Sequence, residues 1–125
     1  MQAIVYHGNK DIRLENIPEP SPEPGEVKLR ITNTSICATD IEEWQYGPLW
    51  VQHGSPNALT GKQTPLVIGH ETSGHVVELG EGVTNLAVGD RVAVNTVLIC
   101  GTCFWCMRGQ QSVCPNMAVA GFMAD

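Results

Sequence analysis

Positive charge is scarce in this 125-residue chain: seven Lys and Arg stand against thirteen Asp and Glu, for a formal charge of −6 and a pI near 5.0. That balance argues against a nucleic acid or an anionic membrane surface as the natural partner. No run approaches the roughly 20 apolar residues of a membrane span, and the opening MQAIVYHGNKD lacks the form of a secretory signal. Aromatic residues make up only 6%. No Gly-x-Gly-x-x-Gly follows a candidate strand, so the dinucleotide-binding (Rossmann) fold is not expected within these residues. Gly80-Glu81-Gly82 reads instead as a turn after a β-run, with no helix behind it.

What is present is cysteine, and it is concentrated. Four of the five cysteines, Cys100, Cys103, Cys106 and Cys114, fall in one fifteen-residue stretch spaced C-x2-C-x2-C-x7-C. A tetrahedral zinc ion takes four soft ligands, and two-residue gaps let a tight turn aim successive thiolates at one point. Gly101 and Gly109 supply the backbone freedom such a knuckle needs. With four cysteines no position is left for water or substrate, so the lobe over residues 100–114 reads as a closed structural site. Two disulfides, ordinary burial, or an iron–sulfur cluster are the competing readings. An odd cysteine count without an export signal favours metal and a cytoplasmic location.

Apolar residues at 42% promise a packed interior. Thirteen glycines and eight prolines among short β-rich runs point to one mainly β domain with many turns. Strands are expected over Ala3–Tyr6, Ile12–Ile17, Glu26–Thr32, Val76–Leu79 and Arg91–Val97. In the third of these, Val27, Leu29 and Ile31 share a face. Four prolines in the seven positions 18–24 forbid a regular ladder there. A short helix is expected within Ile36–Gln45, with Thr39 or Asp40 as N-cap and Glu42 and Glu43 in its first turn. Residues 46–64 are irregular, and a loop of that length inside a compact domain is more often functional than idle. Residues 117–125 are expected to hold no closing element.

The remaining cysteine opens Cys37-Ala38-Thr39-Asp40, and about thirty residues on stands Gly69-His70-Glu71. Thiolate, imidazole and carboxylate are the ligand types of an open zinc site. Each has an ordinary alternative: Cys37 as packing, His70 as a satisfied buried histidine, Glu71 as a surface charge. Cys37-x-Thr39-Asp40, Gly69-His70-Glu71 with Gly74, Val88-Gly89-Asp90-Arg91-Val92 and the four-cysteine lobe occur in fixed order. In that order the chain resembles the catalytic-domain half of the zinc-dependent medium-chain alcohol dehydrogenases, whose N-terminal part is a GroES-like, partly open β-barrel. It is most similar to their polyol, threonine and 2,3-butanediol dehydrogenase branch. The segment from Glu43-Trp44 through Gly47-Pro48 to Leu59-Thr60-Gly61 resembles a substrate-side loop of butanediol dehydrogenases.

The resemblance implies a catalytic zinc held by Cys37 and His70, with Glu71 as a direct ligand or one that exchanges with water. It makes Thr39 a relay for the substrate hydroxyl proton, Asp40 the orienter of His70, and the four lobe cysteines ligands of a structural zinc. Zinc would polarise an alcohol, diol or polyol for hydride transfer to NAD or NADP. Trp44, Trp50 and Leu59 are candidate pocket residues, with loop packing as their ordinary alternative. His53 and His75 are read as surface or hydrogen-bonded residues. The nicotinamide-binding domain, and often a further zinc-site residue, would lie beyond position 125. The 125 residues are therefore expected to be a fragment without turnover of its own, from a full chain that forms a homodimer or homotetramer. Two rival classes remain: a zinc-binding structural module without chemistry, and a quinone-reductase-like relative without catalytic metal. Their zinc content differs, at up to two ions for the dehydrogenase, one for the module and none for the last.

Overall fold

A computed structural model describes residues 1–124. Among the described residues, eight strands form three small antiparallel sheets, not a closed barrel, and one α-helix and two single turns of 3-10 helix accompany them. Among the described residues no helix is long and apolar enough to cross a membrane.

The chain enters through a hairpin of β1 (Gln2–Gly8) and β2 (Asp11–Asn16), whose turn places Lys10 at φ 57°. The Pro/Glu segment then crosses to β3 (Val27–Ser35), which is followed by α1 (Ala38–Tyr46). After the long loop, β4 (Leu66–Val67) pairs with β1, and β5 (Glu71–Leu79) lies between β3 and β6 (Arg91–Ala93). Finally β7 (Val97–Leu98) pairs with β8 (Ala118–Val119), closing the base of the cysteine lobe between them.

Several expectations shift. The helix begins earlier than its polar residues suggested, because Cys37 is the N-cap and Asp40 occupies the third helical position. There Asp40 Oδ2 accepts the Cys37 backbone N–H at 2.8 Å, one half of a capping box. Glu43 therefore lies a full turn further in and is completely buried. The alternation over Arg91–Val97 does not yield one strand. Its two ends pair with different partners, β6 with β5 and β7 with β8. Residues 117–124 do contribute a closing element, β8, which a two-residue pairing leaves almost invisible in sequence. Asp125 lies outside the described residues.

The core is small and centred on Tyr6, Val51, Leu66 and Phe122, with Ile68, Val119 and Met123 packed against it. It draws one residue each from β1, the long loop, β4 and the terminal segment, so it pins those pieces together. Ile31, by contrast, is 50% exposed although it alternates in phase with Val27 and Leu29. Leu66→Ala should therefore cost about 2–4 kcal/mol, whereas Ile31→Ala stays within about 0.5 kcal/mol. Urea midpoints of the two variants check this ordering.

Candidate metal centres

The ladder between β3 and β5 assembles the first centre. Its register pairs Ser35 with Glu71, the last residue of β3 with the first of β5. Cys37 follows Ser35 by two residues and His70 precedes Glu71 by one, so the ladder delivers donors from both segments to the same end of the sheet. One ligand atom from each of Cys37, His70 and Glu71 lies within 4.8 Å of the others. Cys37 and His70 are half-buried and Glu71 is exposed at the rim.

A second backbone approach fixes the imidazole. Gly121 packs against Gly69 so closely that a Cβ on it would strike the Gly69 carbonyl, and the Gly69 N–H donates to Gly121 O at 3.3 Å. The following residues are thereby stacked, with the His70 and Phe122 rings 4.5 Å apart. Asp40 Oδ1 faces His70 Nδ1 at 3.4 Å; both atoms are buried and neither has a hydrogen-bond partner. The carboxylate of Asp40, held by the helix cap, thus faces Nδ1 and leaves Nε2 to hydrogen-bond with Thr39. Nε2 lies 3.3 Å from Thr39 Oγ1. The donor set of sulfur, nitrogen and oxygen with one coordination position open suits zinc.

The second centre is the cysteine lobe. All five cysteines are free, and sulfur–sulfur separations in the lobe are 3.5 Å for Cys114–Cys100, 3.9 Å for Cys103–Cys114 and 4.0 Å for Cys100–Cys106. A disulfide needs about 2.05 Å. The edge of a tetrahedron drawn around zinc with about 2.3 Å bonds is close to 3.8 Å, which matches the observed spacing. Gly101 and Gly109 take φ values of 71° and 73°, the left-handed conformation their turns require. Arg108 covers the exposed Phe104 ring at 3.5 Å from its centre.

The Cys100 and Cys106 thiols differ in acidity. Backbone N–H groups of Thr102 and Cys103 hold the Cys100 thiol down to about 6, whereas burial pushes Cys106 up to about 12. Four thiolates cannot share that volume unless a cation replaces their protons.

Beside the first centre is a cleft of about 270 Å³ lined by Thr39, Trp50, His70, Thr96, Val97, Val119, Phe122 and Met123. A second cleft of about 280 Å³ is lined by Ile4, Ile12, Ile36, Asp40, Ile41, Trp44 and Ile68, among others. The structure thus brings together Cys37, Thr39, Asp40, His70, Glu71 and Trp50. Trp44 sits in the other cleft, because it shares a helix face with Asp40 and Ile41. Leu59 lines neither; its N–H donates to Asn57 Oδ1 at 2.8 Å within a turn. His53 and His75 are hydrogen-bonded to Thr64 and Thr32. Phe122, Met123 and Thr96 escaped sequence reasoning because long-range packing alone places them.

The whole sequence from residue 23 to 125 matches the family described as Alcohol dehydrogenase GroES-like domain. The chain belongs to that family. The chain is 46% identical over 97 residues to (R,R)-butanediol dehydrogenase of Bacillus subtilis, covering 78% of the chain and 28% of that relative. It is 41% identical over 112 residues to L-threonine 3-dehydrogenase of Pyrococcus furiosus, covering 90% of the chain and 30% of that relative. The crystal structure of 2R,3R-butanediol dehydrogenase from Bacillus subtilis superposes with a TM-score of 0.91 at 38% identity, over 98% of this chain and 34% of that one. The chain therefore spans about a third of the length of these relatives.

The unequal thiols of the domain have a direct chemical consequence. In metal-free protein near pH 7, iodoacetamide should modify Cys100 well before Cys106, and the Cys100 rate should fall as pH drops below about 6. Zinc should protect both. Peptide mapping by mass spectrometry reads the order.

Proposed function

We propose that this domain is the N-terminal catalytic half of a zinc-dependent NAD(P) alcohol, diol or polyol dehydrogenase, with one catalytic and one structural zinc. The observation that carries the reading is the convergence of Cys37, His70 and Glu71 beside a cleft of substrate size. The similarity to butanediol and threonine dehydrogenases supports the same chemistry. Cys37, His70 and Glu71 would hold a zinc there, and it would supply Lewis-acid polarisation of an alcohol oxygen for hydride transfer to nicotinamide.

The chain's own residues carry the remaining work. Cys37 and His70 are the fixed donors, and Glu71, exposed at the rim, is the donor best able to exchange with water. Asp40 orients His70 through Nδ1 and supports a positive charge on that side of the site. Thr39 Oγ1 lines the cleft, where it can accept the proton of a substrate hydroxyl and pass it outward. Apolar walls from Val97, Val119 and Phe122 keep water from the reacting carbon. The cysteine lobe, rooted on β7 and β8, stiffens the wall that bears Val97 and Val119.

A zinc-binding module without chemistry would use only the lobe, so metal content and location decide between the readings. The domain should bind up to two zinc ions; Cys37→Ser should remove one, and Cys100→Ser with Cys103→Ser the other, as measured by elemental analysis. Asp40→Asn should weaken the first site about tenfold to a hundredfold in chelator competition while leaving the second unchanged. In a full-length protein bearing the domain, Cys37→Ser should lower NAD(P)-dependent alcohol oxidation by about a thousandfold. Residues 1–125 alone should show none. Zinc confined to the lobe, or full activity in Cys37→Ser, would refute the dehydrogenase reading.

A further inference from the structure

Two carboxylates are buried among the described residues, Asp40 and Glu43. Asp40 belongs to the metal centre, but Glu43, fully enclosed, has no part in the chemistry above. A buried carboxylate is costly unless its oxygens are satisfied, so its partners reveal its use. Glu43 Oε1 and Oε2 accept the Leu49 N–H at 3.0 and 3.1 Å, and Oε2 also accepts the Trp50 N–H at 2.8 Å. Its own carbonyl accepts the Gly47 N–H at 2.8 Å and the Tyr6 hydroxyl at 3.2 Å. Burial, with the Glu43 charge second, pushes that Tyr6 hydroxyl up to about 12, so it stays protonated and donating.

These bonds fold the chain back on the helix immediately after its end. Helix α1 then serves two directions at once: Asp40 reaches His70, and Glu43, one turn on, grips the loop that carries Trp50. The Trp50 side chain shares a cleft with Thr39, His70 and Phe122, yet Trp50 is 52% exposed, so packing alone does not hold it. Val51 is buried in the core and fixes where the loop goes next. Between Gly47 and Val51, the bonds to Glu43 are what tie the backbone down.

We propose that Glu43 is a positioning residue of the substrate cleft, fixing through the Leu49 and Trp50 N–H groups the place of the Trp50 indole on the wall it shares with His70. The inference rests on the reading of this cleft as the alcohol site. Because Glu43 touches neither metal donors nor substrate, its influence falls on how tightly the alcohol is held and spares the hydride step.

The test uses the zinc-loaded, full-length dehydrogenase bearing this domain, with 2,3-butanediol as probe alcohol. Variants are Glu43→Gln, Glu43→Asp, Trp50→Ala and the Glu43→Gln/Trp50→Ala pair, and 5-fluorotryptophan labelling gives a fluorine NMR signal for Trp50, assigned by its loss in Trp50→Phe. We expect Glu43→Gln to shift or broaden the Trp50 signal, keep both zinc ions, and raise KM about tenfold with kcat within about twofold. Trp50→Ala should raise KM similarly, and the pair should add little beyond it. Glu43→Asp keeps the charge but shortens the reach, so it should also move the signal, and it carries the test should the Gln variant fold poorly. An unmoved Trp50 signal in both Glu43 variants overturns the proposal. So does a moved signal with unchanged KM, or full additivity in the pair. Failure of the parent protein to oxidise alcohols would sink the functional reading instead, while the Trp50 signal still decides whether Glu43 sets the indole.

Discussion

The antiparallel pairing of β3 with β5 is the constraint from which the site follows. Register is discrete, so a slip of one residue would turn every side chain to the other face and carry the Cys37 and His70 segments apart. The pairing of Ser35 with Glu71 fixes the approach from one side, and the contact of Gly121 with Gly69 fixes it from the other. The protein chain brings the three donors together at one end of the ladder.

The two centres solve opposite problems with related chemistry. The cysteine lobe is local, with its donors within fifteen residues and its base closed by β7 and β8. Its sulfur atoms stand at near-tetrahedral spacing. The other centre is non-local and mixed in donor type, with an exposed carboxylate at its edge. Saturation of the first with protein ligands makes it rigid. In the proposed function, incompleteness of the second would leave room for a reactant.

Helix α1 is short, but it organises more than its length suggests. Its N-cap is Cys37, its third residue faces His70, and its sixth, Glu43, secures the loop returning from its C-terminal end. Asn9 and Lys10 of the first hairpin hold that end through the carbonyls of Trp44 and Gln45. A helix of nine residues would be marginal by itself. Here its stability derives from carboxylates and cap bonds that also serve the site.

The sequence by itself determined the local features: the C-x2-C-x2-C-x7-C lobe, the turn-rich β character and the motifs that resemble alcohol dehydrogenases. These were legible because their physics is short-range, set by ligand spacing, alternation and turn residues. The tertiary structure decided which loop aromatic enters which cleft. It put Trp50 in a cleft with His70, Trp44 in another with Ile36 and Ile68, and Leu59 in a turn. It also split the run Arg91–Val97 between two sheets and enlisted Ala118–Met123 to close the domain. Glu43 read only as a first-turn acid because nothing local distinguishes a carboxylate facing water from one facing backbone N–H groups. That difference arises only when the loop folds back, since a buried charge is defined by distant partners and not by its neighbours in sequence.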